Sequence, residues 1–598
     1  MSRHDPQRLG RAHQRPGILT AGQQAALIVG GAALVLLSLW HLSLVLTTGV
    51  PLTGVGVTLR GLLTLAPLDL PSRYGAVDPV TTLTVFTLLI AAAIAVAVWW
   101  TTRTPRRRRS GAVGLADKAQ ARRSAGEVRA RKQAAWTRRG SVAAGLLDVD
   151  RAPLAEVGLL LGTTTDGHEP VVLSLEDQVG IIAATGAGKT LYLMVGAALD
   201  APGPLITTST KPEILDAIVE ARTAKGRVWV FDPLDVAGWP EPMIWNPVAG
   251  AEKSAAAVAR GKAFAAGFGA DATDSSNPFF RHAAGIIVAR LLHAAALTDA
   301  TMVDVVSWAL ELERSTTARD ILDGHPDAEL FWAKTLHAAS EGADETLSSV
   351  RMTLAQKVEP ILSRTVMRQM LPQPGVQVFD PAQFVASTDT LVLITDDQGQ
   401  TNVAPLTTML LGEVIDAAKA RAARSHTGRL DPPLRVVGDE IANVAPLPKL
   451  PSLLSDSRGI GIQWFAAFQS VAQIHARWGE DDGRQILANL NCSLILGGLQ
   501  DEKALDRFSA LVGDTDVTEV SATLDAANTA TGSSVSVTER TALRAEEIRL
   551  IPDGQALVIY RNAPAMLVDL TPWTQRPDGP DTTAAIARVR TARITHQP

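Results

Sequence analysis

Lys189 and Thr190, closing the segment AlaThrGlyAlaGlyLysThr (184–190), are the residues of this chain whose types and spacing most directly suggest chemistry. The segment follows a short apolar run, Val179–Ile182, and opens a helix-compatible stretch, Leu191–Leu199. Strand, glycine loop and helix in that order form a phosphate cradle, or P-loop. Successive backbone N–H groups wrap the anion, and the helix N-terminus adds partial positive charge. Thr185, Gly186, Ala187, Gly188, Lys189 and Thr190 would line such a cradle. Lys189 would reach the β- and γ-phosphates of ATP, and the Thr190 hydroxyl would hold Mg²⁺. The full pattern has glycine at 183, where this chain has Ala183.

A P-loop needs an acidic partner. Leu434–Val437 is an apolar run followed by Gly438, Asp439 and Glu440. Asp439 at the strand end would bind Mg²⁺ through water, and Glu440 would polarise the attacking water. Gln469 lies just past the apolar run Gln463–Ala467, where an amide could sense the γ-phosphate. Arg458, in SerArgGlyIleGly, precedes that run; in a ring it could reach a neighbour's nucleotide and stabilise transition-state charge. A helix-capping amide and a surface ion pair are the plainer readings of these two residues.

The elements that must position these groups alternate. Short β-rich runs at Val179–Ile182, Leu205–Thr208, Val228–Phe231, Leu391–Thr395, Leu434–Val437, Gln463–Ala467, Ser493–Leu496 and Ala556–Tyr560 are mostly separated by helical patterns. That predicts an α/β domain with a largely parallel sheet. Between Ala251 and Met370 the β signal vanishes, leaving amphipathic segments such as His282–Leu297, Val303–Leu312 and Glu345–Gln369. An all-helical insertion is expected there.

At 598 residues the chain exceeds one core, and its single cysteine, Cys492, excludes an intrachain disulfide framework and a Cys-based zinc finger. Ala25–Leu46 and Val80–Trp100 are each long and apolar enough to cross the ~30 Å hydrocarbon layer as a helix. Arginines at 3, 8, 11 and 15 precede the first run, and Arg103 with Arg106–Arg109 follow the second. The positive-inside rule then puts both termini in the cytoplasm, with the chain in the cell membrane. From Arg103 to Arg139 there are 13 Lys/Arg against Asp117 and Glu127, while the whole chain carries net charge −5. The remaining body is therefore acidic, which argues against broad nucleic-acid coating and confines any DNA contact to a local basic lining.

Two N-terminal spans, a P-loop, a helical insertion, then AspGluIleAlaAsn (439–443) and ArgGlyIleGly (458–461) with Gln469 resemble the VirD4/TraG type IV coupling proteins, relatives of the FtsK/HerA translocases. AsnProPhePheArg (277–281), AsnLeuAsnCysSer (489–493) with Asn491, ThrGluArgThrAlaLeu (538–543) and IleProAspGlyGlnAla (551–556) add to the resemblance. Lys211 and Glu213 stand where the family has an AspProLysGlyGlu-like run, but the text here is SerThrLysProGlu, without the leading Asp. The resemblance implies a RecA-like ATPase fold and a hexamer. It implies docking of DNA–relaxase complexes or protein effectors onto a type IV secretion channel, and ATP-driven export of single-stranded DNA. An FtsK-type double-stranded DNA translocase and a non-catalytic membrane scaffold are the alternatives. Lys189 and Asp439 lie 250 positions apart, more than an FtsK-type arrangement without the insertion needs.

The expected organisation is a cytoplasmic tail (1–24), a transmembrane domain (25–102, spans 25–46 and 80–100) and a basic juxtamembrane linker (103–150). A nucleotide-binding domain follows in two parts (151–250 and 376–572) around the helical insertion (251–375). The stretch from Asp514 to Glu539 reads as a loop or exposed hairpin, and 573–598 as a flexible C-terminal tail.

Overall fold

Continuous runs of β-branched and aliphatic residues such as LeuIleThrThrSer and LeuArgValValGly are buried along their whole length, as expected of central strands covered on both faces. In a computed structural model, which describes residues 42, 46, 84–91, 114–268, 278–340, 345–396, 402–524 and 530–596, they lie in one eleven-stranded sheet. In chain order its strands are β1 (Gly158–Thr164), β2 (Pro170–Ser174), β3 (Val179–Ile182), β4 (Leu205–Ser209), β5 (Val228–Phe231), β6 (Thr390–Ile394), β7 (Leu434–Gly438), β8 (Ile462–Phe468) and β9 (Cys492–Leu496). A separate hairpin, β10 (Asp514–Leu524) with β11 (Ala530–Thr541), comes next, and β12 (Gln555–Tyr560) and β13 (Met566–Leu570) complete the large sheet.

The spatial order is β2-β1-β13-β12-β9-β3-β8-β7-β4-β6-β5. From β9 to β5 every pairing is parallel. The four strands beyond β9 pair antiparallel, so the sheet is mixed. The expectation of a largely parallel sheet therefore holds for one side only. On the antiparallel side burial alternates, as along β13, and the pattern is weaker in the sequence.

Between β5 and β6 the chain forms a series of helices, including Ser254–Gly267, Pro278–Ala296, Met302–Leu310 and Glu345–Val358. Thr301 caps one of them, its side chain accepting from Val303 N–H while Asp304 accepts from Thr301 N–H at 2.7 Å. The helix expected across Glu345–Gln369 breaks at Glu359–Leu362, where Pro360 cannot supply the N–H that a continuing helix needs. His293, on the helix Pro278–Ala296, is fully buried, with Nδ1 2.8 Å from the Ala251 carbonyl.

Two stretches that flank the nucleotide-binding domain in sequence carry helices. Within the 103–150 linker, Lys118–Ala125 and Glu127–Thr137 are helices that pack on β2. At the other end, Gly579–His596 is a helix rather than a flexible tail, docked on the helix Glu213–Thr223. Asp216, almost wholly buried, receives Arg590 Nε and Arg593 Nη2, each at 3.0 Å, and Glu220 receives Arg588 Nε at 3.0 Å.

The chain divides into two compact units, 1–108 and 109–598. In the first, residues 42, 46 and 84–91 are helical; the rest of the expected spans lies outside the described residues. Among the described residues, no helix is long and apolar enough to cross a membrane.

Candidate nucleotide site

Three neighbouring strands bring the predicted groups to one edge of the sheet. β8 lies between β3 and β7, parallel to both, with Ile182 opposite Phe468 and Gly438 opposite Ala466. The loop 184–190 leaves the C-terminal end of β3, Asp439 and Glu440 leave β7, and Gln469 leaves β8. The C-terminal edge of parallel strands is where α/β sheets place ligands.

The loop's conformation explains its composition. Gly186 and Gly188 have φ of 83° and 80°, in the left-handed region that side chains disfavour. Ala183 lies before the turn and continues the sheet, its N–H donating to the Phe468 carbonyl at 3.1 Å. Its side chain is fully buried, so the departure from glycine falls where no left-handed backbone is needed. Ala187 N–H donates to the Ala184 carbonyl at 3.2 Å and closes the turn. Lys189 is buried at the start of the helical segment, whose first turn, Thr190–Met194, is π-helical.

Thr190 Oγ1 donates to Asp439 Oδ2 at 3.3 Å, joining residues 249 positions apart. Thr208 Oγ1, at the end of β4, donates to the Asp439 carbonyl at 2.9 Å and fixes the turn after β7. Glu440 has φ of 57°, an unusual conformation for a non-glycine residue and one found at functional turns. Gln469 Nε2 donates to Glu440 Oε1 at 3.1 Å, while Gln469 N–H donates to Gln473 Oε1 at 2.9 Å. Burial pushes the Asp439 carboxyl above the ordinary aspartate range; the Lys189 charge opposes this and the Glu440 carboxylate adds to it.

Asp439 Oδ1 and Glu440 Oε2 are buried without a hydrogen-bond partner among the described residues. Buried carboxylate oxygens of this kind are costly unless something else meets them. A hard cation and its water would satisfy both, with Thr190 Oγ1 as a further oxygen donor. Among the described residues no cluster of three or more His, Cys, Asp or Glu side chains could hold a metal alone. Mg²⁺ is typically shared between one or two protein oxygens and substrate phosphates.

Arg458 is not part of this cluster. It lies in the last turn of the helix Leu450–Ile460, just before β8, and its Nη2 pairs at 2.9 Å with Oε1 of Glu176, just before β3. Both residues therefore stand at the N-terminal edge of the strands, away from the loop of the same chain. Asn491 serves the same edge: its Oδ1 accepts from Gln178 N–H at 2.7 Å and its Nδ2 donates to Asp177 Oδ1 at 3.0 Å, tying β3 to β9. Lys211 and Glu213 follow β4, with Lys211 N–H donating to Ser209 Oγ at 3.1 Å; a serine thus makes the turn without the missing Asp. Thr208 and Gln473 were not singled out from the sequence, since a threonine at a strand end and a glutamine on a helix carry no motif.

Residues 433–553, from the start of β7 to the turn before β12, match the family model described as the TraM recognition site of TraD and TraG. The chain resembles a VirD4/TraG-type coupling protein. Within the matched segment lie Asp439, Glu440, Arg458, Gln469 and Asn491.

Solved coupling-protein structures are also similar to the chain. The bacterial conjugative coupling protein TrwBdeltaN70, in its unbound monoclinic form, is 18% identical over 70% of this chain and 90% of its own, with TM-score 0.49. The plasmid coupling protein TrwB in complex with the non-hydrolysable ATP analogue ADPNP is 18% identical over 66% and 86%, with TM-score 0.46. VirB4 of Thermoanaerobacter pseudethanolicus is 12% identical over 71% and 97%, with TM-score 0.40. No curated protein matches the chain in sequence.

Proposed function

We propose that this chain is a membrane-anchored ATPase that couples ATP hydrolysis to the recruitment and translocation of DNA into a type IV secretion channel. The observation that carries the reading is the convergence of Thr190, Asp439, Glu440 and Gln469 at one strand edge, with one oxygen of each carboxylate left for a ligand. The resemblance of the matched segment to TraD and TraG supplies the DNA-transfer context.

In this reading the backbone N–H groups of Thr185–Thr190 bind the ATP phosphates, and Lys189 lies against the β- and γ-oxygens. Thr190 and Asp439 hold Mg²⁺, which neutralises charge on the phosphate oxygens when bound. Glu440 Oε2 accepts a proton from the attacking water as its oxygen bonds the γ-phosphorus and the bond to the β–γ bridging oxygen breaks. Gln469, hydrogen-bonded to Glu440, holds that carboxylate and registers loss of the γ-phosphate. Two N-terminal spans tether the motor, six copies form a ring, and relaxase-bound single-stranded DNA is the cargo.

The decisive experiment pairs ATP turnover by the full chain with a mating assay. Lys189→Ala should abolish both turnover and DNA transfer while membrane association is kept. Transfer that survives Lys189→Ala would overturn the motor in favour of a scaffold.

A further inference from the structure

Tyr192 occupies a position that phosphate chemistry does not account for. It lies three residues beyond Lys189, and its ring packs on the loop itself: a Cβ on Gly188 would stand 2.7 Å from Tyr192 Cε2. Its hydroxyl end packs on Gly554, where a Cβ would stand 3.2 Å from Tyr192 Oη. Gly188 and Gly554 both have left-handed φ, 80° and 81°. The ring is thus wedged between the phosphate loop and the IleProAspGlyGlnAla turn before β12. That motif is otherwise without a role in the nucleotide site.

Tyr192, Gly196 and Asp200 recur every four residues and are partly exposed, whereas residues 193–195 and 197–199 between them are buried. This stripe forms one wall of a cavity of about 260 Å³. β1 lines it with Leu159–Leu161, and Thr571 and Gln575 reach it from the segment after β13. At the far end Arg576 bonds Asp200 through Nη1 at 2.9 Å and Nη2 at 2.6 Å, and Asp578 through Nε at 2.9 Å. Gly196 keeps the middle open, since a Cβ there would meet only Arg576 Nη1, at 3.4 Å.

We propose that this cavity takes the purine base of the nucleotide whose phosphates lie in the 184–190 loop, with Tyr192 as the platform on which the base stacks. The proposal rests on the nucleotide-binding reading of that loop. An aromatic face touching the loop, aliphatic walls and a rim of hydroxyl and amide suit a flat heterocycle with polar edges. At the far end Arg576 is shared between Asp200 and Asp578, two carboxylates to one guanidinium, which disfavours a second anion and suits a neutral base.

The test compares binding of MgATP and of magnesium tripolyphosphate to the full-length chain in detergent, by calorimetry. Tyr192→Ala should weaken MgATP on the order of tenfold to a hundredfold, the range for loss of one base–aromatic stack, and leave tripolyphosphate unchanged. Tyr192→Phe should retain MgATP affinity. Gly196→Leu fills the cavity without touching the loop and should also weaken MgATP alone, which keeps the test sound should Tyr192→Ala fold poorly. Equal weakening of both ligands by Tyr192→Ala would overturn the proposal, since the ring would then only prop the loop. Unaltered MgATP affinity in Gly196→Leu would overturn it as well. A wild-type chain that binds MgATP no better than tripolyphosphate would refute the base site and leave the phosphate loop standing; one that binds neither would refute both.

Discussion

Glu440 and Gln469, from the tips of adjacent strands, meet at 3.1 Å through one carboxylate oxygen and leave the other unpartnered. The bonded oxygen fixes the side chain, and the second keeps its lone pairs for a water. Glu440→Gln should therefore retain ATP binding while turnover falls by about 10²–10⁴-fold, the usual contribution of a positioned general base. Phosphate release and nucleotide affinity measured on the same preparation separate the two effects.

Removing the amide should act more mildly. Gln469→Ala frees Glu440 to rotate, so turnover should drop roughly tenfold, at the low end of positioning effects, with nucleotide affinity little changed. Gln469→Glu should be worse than alanine, because it sets a second carboxylate against Glu440. Steady-state kinetics on the two variants will show whether that order holds.

Asp232, just after β5, is almost wholly buried and accepts from Val236 N–H at 2.9 Å and Ala237 N–H at 2.6 Å. Burial outweighs these bonds and raises its carboxyl to about 6 from 3.8. A raised folded value means the folded state holds its proton longer than the unfolded chain. The group's contribution to stability is thus fully present below pH ~4 and is lost as pH rises through about 6, by about 3 kcal/mol. Urea unfolding from pH 4 to 7 should show this slope, and Asp232→Asn should flatten it.

The C-terminal helix should contribute measurably to stability. Arg593 Nη2 bonds Asp216 at 3.0 Å, and its side chain is itself mostly buried. Arg593→Ala leaves the buried carboxylate with Arg590 alone and should destabilise the fold by about 2 kcal/mol, less than the full loss of a buried pair. Denaturant midpoints will measure it; Arg588→Ala, in an exposed pair with Glu220, should leave them nearly unchanged.

Arg458 allows a cleaner experiment than its motif alone would suggest. Its side chain is 45% exposed, and Glu176 keeps Gln133 as a hydrogen-bond partner without it. Arg458→Ala should therefore shift subunit stability by less than about 1 kcal/mol. If it acts on a neighbour's nucleotide, hydrolysis should fall only in the assembled form. Mixing with Lys189→Ala subunits should then restore activity; no recovery at any ratio would rule the trans role out.

The sequence discloses best what is buried on both faces. The strands from β9 to β5 read as continuous apolar runs, and the Asp439–Glu440 pair is legible because β7 is one of them. β1, β2 and β13 are harder to read: β2 opens on Pro170, and β13 carries Asp569 on an alternating pattern. The helix Gly579–His596 is a series of arginines until Asp216, over 370 positions upstream, is seen to receive them. Arg458 reads in sequence either as an arginine reaching a neighbour's nucleotide or as a surface ion pair; its partner within one chain, Glu176, lies 282 positions away and is not visible there. Tyr192 carries no signal in the sequence because one of its two glycine contacts, Gly554, belongs to a turn more than 350 positions downstream.

The strand order carries a consequence for biosynthesis. β3, β4 and β5 come first among the parallel strands, yet none of them pairs with another: β3 lies between β8 and β9, β4 between β6 and β7, and β5 beside β6. A nascent chain that has just exposed residues 184–190 thus has no sheet on which to fix them. Their nearest strand partner, β8, begins only at Ile462, about 270 residues later, after all the helices between β5 and β6. Pairing over such separations is slow and leaves strand edges open in the interval. The phosphate loop is among the first parts of the motor to be translated and among the last able to take its working shape, so a chain truncated before β8 would have no means of holding it.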